Sequence, residues 1–445
     1  MNVSGFPLAM VALLGGAGLT YLLRPWKLAA SLLGALICLA LWQMVAFAPP
    51  AEAVRLGDLL LWPGAGQVLP LEVTLGAPWG LAGREWALEG GDPWVLLPLA
   101  VGAGASLAGW LAGAAGPWTA LVLVAAAGIV GEAGAQSPAL GLLGGGLTFC
   151  SLAMAVAAGR REAAPAAMSL LACGLAGLAL LVPAGLVWGQ SGPSTWGAAA
   201  LAAGLAFWLG VPPWGAWQPA ATRQGGPLAA ALALACLPLL ALFGLRGAAS
   251  PQLNLWLLGG SGWLLVLSSL GALVHREPQR LWGSLALANL GMLLGGVWRF
   301  GADWVGLTPL LGMRGLALAA VALGLSWLPP GLGTGVLRRR PWSAALALAG
   351  LASLVGLPLT PGWAGWWAVL WRVEGGFSRL PAGWVALVVA ALVCGLAGLW
   401  RVALGWADRP APADLRREEP WQVGVAFLLL AALFAWGLAG LPAAG

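Results

Sequence analysis

The sequence predicts an all-α polytopic membrane protein with about fourteen transmembrane helices, two of them discontinuous. Of its 445 residues, 60% are hydrophobic and only 8% are charged, whereas soluble domains carry roughly 25% charged residues. Apolar stretches close to the length of about 20 residues that a spanning helix needs recur along the whole chain. Prolines interrupt two of these stretches, at Pro212–Pro213 and at Pro358–Pro361.

The apolar segments are expected, in chain order, at about 5–23, 27–48, 93–114, 117–134, 138–158, 164–188, 194–213, 226–246, 253–274, 281–298, 305–328, 342–371, 380–404 and 420–440. Glycine and alanine fill their interiors, and such small residues let neighbouring helices approach closely. The run GLLGGGLTF at 141–149 is expected to be a packing face of this kind.

The two interrupted segments occupy similar places in the chain. A broken helix inside a bilayer survives only where it is buried in protein or lines a polar cavity. Paired breaks at corresponding places indicate an internally duplicated transporter fold. We therefore expect three segments in residues 1–114, a first repeat in 115–250 with its break at 212–213, and a second repeat in 251–404 with its break at 356–362. The last segment falls in 405–445.

The basic residues predict the orientation. Thirteen Lys and Arg residues lie in loops on the side reached after the first segment, against six on the opposite side. By the positive-inside rule, both termini should lie on the extracytoplasmic side of the cell inner (cytoplasmic) membrane. The net charge of +6 expresses this asymmetry. We accordingly expect the lipid bilayer as a partner and no nucleic acid.

The sequence lacks the motifs for nucleotide binding, metal binding and disulfide formation. The chain has no Walker loop and no dinucleotide fingerprint, and its five cysteines lie in apolar segments without a CxxC pair. Neither a metal site nor a disulfide framework is indicated. We expect no cofactor, no metal and no catalytic residue, so any redox or ATP chemistry would belong to another subunit.

Residues 71–92, between the second and third segments, show short apolar alternations around Gly-Ala-Pro and Glu-Gly-Gly. This pattern predicts an extracytoplasmic β-hairpin that Asp92 closes just before the third segment. An irregular loop is the alternative.

Five stretches together resemble the antiporter-like membrane subunits of respiratory complex I and the related Mrp antiporters. They are the hairpin ending at Asp92, REAAPAAMSLLACGLAGLALL (161–181), WLGVPPWGAWQPAATRQGGP (208–227), HREPQRLWGSLALANLGML (275–293) and GLPLTPGWAGWW (356–367). The resemblance covers about residues 71–404 and implies the inverted-repeat fold of that family, with other membrane subunits as partners. Because no long carboxy-terminal lateral helix follows, the N-type subunit is favoured over the L-type.

The departures from the family pattern concern its ionisable residues. The resemblance implies a relay of Glu, Lys and His side chains, but here those positions hold Ala166, Trp208, Gly215 and Trp366, and Asn289 stands for a histidine. The glutamate of the fifth helix should fall near Leu143 or Gly144, neither of which ionises. The central proton relay is therefore expected to be missing.

A few polar residues remain as candidates. Arg314 lies deep in an apolar segment, where it either clamps backbone carbonyls of a broken helix or serves transport, and a guanidinium does not release its proton at accessible pH. Asn289, Ser284 and Gln218 either hold a file of water or make ordinary interhelical hydrogen bonds. Glu132 falls at a segment end, where a solvated loop is the default interpretation.

Three functions are compatible with these residues. The first is a non-catalytic, structural subunit in the membrane arm of a complex-I-like NADH:quinone oxidoreductase, with its own channel lost. The second is a carrier, either an Mrp-type cation/proton antiporter subunit or a freestanding transporter of a small or lipidic solute. The third is an active proton channel that uses water and backbone groups. The retained prolines and glycines favour the first.

Overall fold

The computed structural model describes residues 2–47, 53–55, 72–76, 78–81, 84–114, 116–135, 138–159, 161–191, 195–213, 217–245, 251–300, 304–328, 336–371, 381–407 and 417–439. These residues form sixteen helices of eight residues or more: α1 Gly5–Leu22, α2 Lys27–Phe47, α3 Pro93–Leu111, α4 Trp118–Gly134, α5 Pro138–Gly159, α6 Ala164–Ser191, α7 Thr195–Leu209, α8 Trp217–Gln224, α9 Pro227–Gly244, α10 Pro251–Val274, α11 Pro278–Phe300, α12 Trp304–Trp327, α13 Pro341–Val355, α14 Pro361–Trp371, α15 Ala382–Ala407 and α16 Pro420–Ala439.

The helices confirm the expected fold class. Within the described residues, ten helices are long and apolar enough to span a membrane, and four shorter apolar helices accompany them. These fourteen match the fourteen expected segments one to one. The seventh and twelfth segments are the two that are divided, into α7 and α8 and into α13 and α14.

The chain divides into two compact units. The first comprises Met1–Leu209 with Cys236–Ala248, and the second comprises Gly210–Ala235 with Ala249–Gly445. One hydrophobic cluster of the first unit lies among α1, α2, α3 and α4, where Phe6, Leu13, Met44, Leu99 and Leu123 are buried.

Among the described residues, five short strands accompany the first helices: β1 Asn2–Ser4, β2 Ala53–Arg55, β3 Glu72–Thr74, β4 Trp79–Leu81 and β5 Arg84–Trp86. Strand β3 pairs in parallel with β1 and antiparallel with β2. Strands β4 and β5 form the expected hairpin, with Trp79 opposite Trp86. Their ring centroids lie 5.7 Å apart, and each lies 5.9 Å from the ring of Phe6.

Asp92 ends this region and also caps α3. Its carboxylate accepts a hydrogen bond of 3.0 Å from the backbone N–H of Trp94, and Pro93 occupies the first helical position. A carboxylate at this position satisfies one of the amides that the first helical turn leaves without an intrahelical partner.

The first break follows α7. Gly210 adopts a left-handed φ of 67°, and Pro212 and Pro213 follow before α8 begins at Trp217. A β-carbon on Gly210 would lie 2.6 Å from Nε1 of Trp217, so the turn needs glycine for both its conformation and its space. The indole N–H of Trp263 on α10 donates to the carbonyl of Pro212 at 2.6 Å.

The second break begins with a Schellman cap. Gly356 has a φ of 87°, its N–H donates to the Ser353 carbonyl at 3.0 Å, and the N–H of Leu357 donates to the Ala352 carbonyl at 3.1 Å. After the break the chain returns against α13, because the N–H of Gly362 donates to Oγ of Ser353 at 3.0 Å. Both predicted discontinuities are therefore present.

Candidate functional site

Trp208, which stands at a lysine position of the family pattern, is fully buried near the end of α7. Its indole N–H donates to the carbonyl of Gly174 on α6 at 3.2 Å. Its ring centroid lies 5.3 Å from that of Phe149 on α5. The side chain is thus held in place by a hydrogen bond and an aromatic contact.

Two glycines make room for this indole. A β-carbon on Gly177 would lie 2.3 Å from Cδ1 of Trp208, and one on Gly145 would lie 2.4 Å from Cη2. Such distances are far inside van der Waals contact, so the ring packs directly on the backbone of α5 and α6. Trp208 therefore fills the space beside Gly145 and Gly177.

Glu132 is buried, contrary to the solvated loop position that its place in the sequence predicts. Only 2% of it is exposed, near the end of α4. Neither carboxyl oxygen has a hydrogen-bond partner among the described residues. Oε2 lies 3.2 Å from the position that a β-carbon on Gly145 would take, and Cγ lies 3.3 Å from that on Gly141. The glycine-rich start of α5 therefore covers the carboxyl group.

The two positions on α5 at which the resemblance implies a glutamate, 143 and 144, carry no acid. A carboxyl group from the neighbouring helix lies close to them. Leu143 is 63% exposed. A β-carbon on Gly144 would lie 2.3 Å from the carbonyl oxygen of Gly128 and 2.8 Å from the amide nitrogen of Glu132. This close approach of α4 and α5 brings the Glu132 carboxyl beside the site from the neighbouring helix, a placement that no local pattern in the sequence indicates.

The other substituted relay positions are apolar and buried. Ala166 on α6 is fully buried, and Trp366 on α14 is 2% exposed. The Trp366 ring covers the second break, since a β-carbon on Gly356 would lie 2.9 Å from Cγ and Cδ2 of the indole. Gly215 lies outside the described residues.

Arg314 on α12 is buried and binds acceptors from two other helices of the second unit. Its Nε and Nη2 each donate to the carbonyl of Leu234 on α9 at 3.3 Å. Its Nη1 donates to the carbonyl of Ala286 at 3.1 Å and to Oδ1 of Asn289 at 2.8 Å, both on α11. The guanidinium thus ties α12 to α9 and α11.

The carbonyl of Leu234 is free to accept hydrogen bonds from Arg314 because of a proline in α9. Pro238, four residues further along α9, has no N–H, so the Leu234 carbonyl lacks its usual intrahelical donor. Arg314 supplies the missing donor twice. Of the two roles that the sequence allows for Arg314, a clamp or transport, the contacts fit the clamp, but its acceptors belong to α9 and α11, which are continuous, and not to a broken helix.

Each of the remaining polar candidates has its own surroundings. Ser284 is buried and donates to the carbonyl of Arg280 in its own helix at 3.2 Å. Gln218 is buried in the first turn of α8, beside Gly210. Asn289 binds Arg314. Across the described ranges, no group of three His, Cys, Asp or Glu residues is arranged to hold a metal ion.

Comparison with known proteins agrees with this architecture. No family model matches the chain. Over 260 residues, which cover 53% of this chain and 52% of the relative, it is 29% identical to NADH-quinone oxidoreductase subunit N of Xanthomonas euvesicatoria pv. vesicatoria. The match thus spans about half the length of that curated relative.

Solved structures share the fold over nearly the whole chain. One chain of respiratory complex I from Thermus thermophilus aligns with a TM-score of 0.74 and 21% identity, covering 97% of this chain and 98% of that one. The archaeal membrane-bound sulfane sulfur reductase gives 0.78 and 16%, covering 98% and 76%. The Mrp complex from Dietzia sp. gives 0.72 and 16%, covering 97% and 95%. By composition and by fold, the chain is a multi-pass membrane protein whose architecture is similar to that of membrane subunits from complex I and Mrp assemblies.

Proposed function

We propose that the chain is a structural, non-catalytic membrane-arm subunit of a complex-I-like NADH:quinone oxidoreductase and that it has lost its own proton channel. The similarity to subunit N supports membership of such an assembly, and the structural neighbours come from multi-subunit complexes. Electron transfer would be carried out by other subunits.

The observation that carries the loss of the channel is the packing of Trp208 and Trp366. A water-mediated proton path needs a polar cavity with room for water and several hydrogen-bonding partners. Both indoles instead rest directly on glycine backbone, at Gly145 and Gly177 and at Gly356. Ala166 adds no group that can exchange a proton.

Arg314 does not replace the missing groups of the proton path. Four of its five N–H donors are taken by two backbone carbonyls and by Asn289. A guanidinium also retains its proton under ordinary conditions. Its geometry supports the role of a clamp among three helices.

A residual proton channel is the second candidate, and Glu132 is the observation that favours it. Ionisable groups buried in membrane segments are often functional. The Mrp neighbour has a TM-score close to that of the complex I chain, so an Mrp-type antiporter subunit remains the alternative assembly.

The same proposal includes the membrane in which the chain lies, its orientation there and its partners. It lies in the cell inner (cytoplasmic) membrane with both termini on the extracytoplasmic side, contacts lipid and other membrane subunits, and binds no nucleic acid. Its two antiporter-like repeats occupy residues 115–250 and 251–404. Labelling of a cysteine introduced at Arg338 by a membrane-impermeant reagent from outside would contradict this orientation.

Co-purification tests the assembly. A tagged chain is isolated from mild-detergent extracts and its partners are identified by mass spectrometry. We expect the membrane subunits of a quinone-reducing complex, together with NADH:quinone activity in the isolate. Recovery of Mrp subunits would support the alternative assembly, and recovery of the chain alone would contradict membership of either.

A further inference from the structure

A cleft in the first unit lies where the connection between α1 and α2 meets the connection between α3 and α4. Among the residues that line it are Lys27, Ser31, Trp110, Gly116 and Thr119. Because both connections join apolar helices of a multi-pass membrane protein, we infer that the cleft opens at a membrane surface. Its residues combine charge, hydroxyl groups and an aromatic wall.

The cleft carries positive charge. Nζ of Lys27 is exposed and donates to the carbonyl of Gly113 at 3.3 Å, which leaves two of its three donors for other acceptors. Arg24 lies beside it, with three side-chain carbons 3.4–3.8 Å from the β-carbon position of Gly116. Neither connection contains an acidic residue, since they read LRPWK (23–27) and AGAAGPWT (112–119).

Arg24 is also held in position. Its guanidinium lies 4.7 Å from the ring centroid of Tyr21, and Nη1 donates to the Tyr21 hydroxyl at 2.7 Å. These contacts hold the Arg24 guanidinium in place, and Tyr21 does not neutralise its positive charge. Its charge therefore remains available to an anion in the cleft.

The start of α4 adds donors that the protein does not satisfy by a side-chain cap. Pro117 occupies the N-cap position and makes no side-chain hydrogen bond. The first-turn amides, among them that of Thr119, thus face the cleft end of the helix, where the helix dipole favours an anion. The hydroxyls of Ser31 and Thr119 lie 3.4 Å apart and are nearly buried, and their mutual hydrogen bond uses only one of their two hydrogens.

An aromatic wall borders this polar centre. Trp110 lines the cleft and is 44% exposed, and Leu28 and Leu32, which follow Lys27 and Ser31 directly in the sequence, are each 45% exposed. Tryptophan is enriched at the membrane interface because one end of its ring is apolar and its N–H is polar. A free anion would gain nothing from this wall, whereas an acyl chain would cover it.

We propose that this cleft binds the phosphate group of an anionic phospholipid. Lys27 and the first-turn amides of α4 hold the phosphate, Arg24 adds long-range attraction, and Trp110 packs along the glycerol and upper acyl region. The site lies wholly within the first unit and does not depend on the proposed function.

Native mass spectrometry of the purified full-length chain tests the proposal. The protein in detergent is titrated with phosphatidylglycerol, and separately with phosphatidylcholine, which carries the same phosphate but no net charge. We expect preferential retention of phosphatidylglycerol. Lys27→Gln should weaken it by about tenfold, the loss expected for one charge-assisted hydrogen bond, while Lys27→Arg should retain most of it.

Arg338→Gln is the matched control, because Arg338 is an exposed basic residue of the second unit and should not affect binding. Arg24→Gln provides a second variant outside the helices should Lys27→Gln fail to fold. Equal retention of both lipids, or unchanged binding by Lys27→Gln and Arg24→Gln, would overturn the proposal. Displacement of the lipid by an equal concentration of inorganic phosphate would overturn the assignment to a lipid.

Discussion

The carboxyl group of Glu132 and the indole of Trp208 meet at the same face of Gly145. A β-carbon on that glycine would lie 3.2 Å from Oε2 of Glu132 and 2.4 Å from Cη2 of Trp208. An acid from α4 and a bulky aromatic ring from α7 therefore pack against the same glycine of α5. The ring offers the acid no hydrogen bond, because its N–H donates to the carbonyl of Gly174.

Replacement of the acid should stabilise the protein. The Glu132 carboxyl is buried and has no partner among the described residues, so it has lost its contacts with water without compensation. Glu132→Leu should raise the free energy of unfolding by about 1–3 kcal/mol. Thermal unfolding in detergent, followed by tryptophan fluorescence, measures the change. A loss of stability, with Glu132→Gln less affected, would show that the acid has a partner.

Addition of a methyl group at Gly145 should have the opposite effect. Gly145→Ala forces Trp208 to move and should cost about 1–3 kcal/mol, the usual penalty for overpacking a tight contact. Gly104→Ala on α3 is the control, because a β-carbon there meets nothing within 4 Å. Equal melting temperatures for the two variants would mean that the indole does not rest on α5.

Removal of the guanidinium should weaken the second unit. Arg314→Leu leaves the Leu234 carbonyl without a donor and Asn289 without its partner, at about 1–3 kcal/mol for each buried acceptor. Ser284→Ala is the matched control, since it removes only a hydrogen bond within one helix. Both are compared by thermal unfolding in detergent. An Arg314→Leu protein as stable as the control would contradict the clamp.

The second break should tolerate one substitution and reject another. A β-carbon on Gly362 would lie 1.6 Å from the Ser353 carbonyl oxygen, so Gly362→Leu should abolish assembly of the folded protein. Trp366→Phe should be tolerated, because the Trp366 indole N–H has no partner among the described residues and a phenyl ring still covers Gly356. Yield and elution of the monodisperse protein on size exclusion report both. Similar yields would mean that the break is not closely packed.

Much of the fold follows from local sequence. Segment length and composition predict the fourteen helices, the prolines predict both breaks, and the alternation around Gly-Ala-Pro and Glu-Gly-Gly in 71–92 predicts the hairpin. These features depend on backbone geometry and on the length needed to cross a bilayer, which a sequence reveals directly.

The candidate site depends on contacts between helices, and this limits what the sequence reveals. Glu132 looks solvated because it stands near the end of a segment, and only the packing of α5 through Gly141 and Gly145 buries it. The sequence does contain a feature that predicts an acceptor for Arg314. Pro238 inside an apolar segment frees a carbonyl four residues earlier, and a buried arginine is a suitable donor for it.

Proton flux through the purified chain tests the absence of a channel most directly. The protein is reconstituted in liposomes that contain a pH-sensitive dye, a potential is imposed, and the internal pH is followed beside that of empty liposomes. Because indoles and an alanine occupy the relay positions and Arg314 is clamped, we predict flux equal to that of empty liposomes, unchanged by Glu132→Gln. Flux above that level, suppressed by Glu132→Gln, Arg314→Leu or Asn289→Leu, would contradict the structural role and establish a working channel.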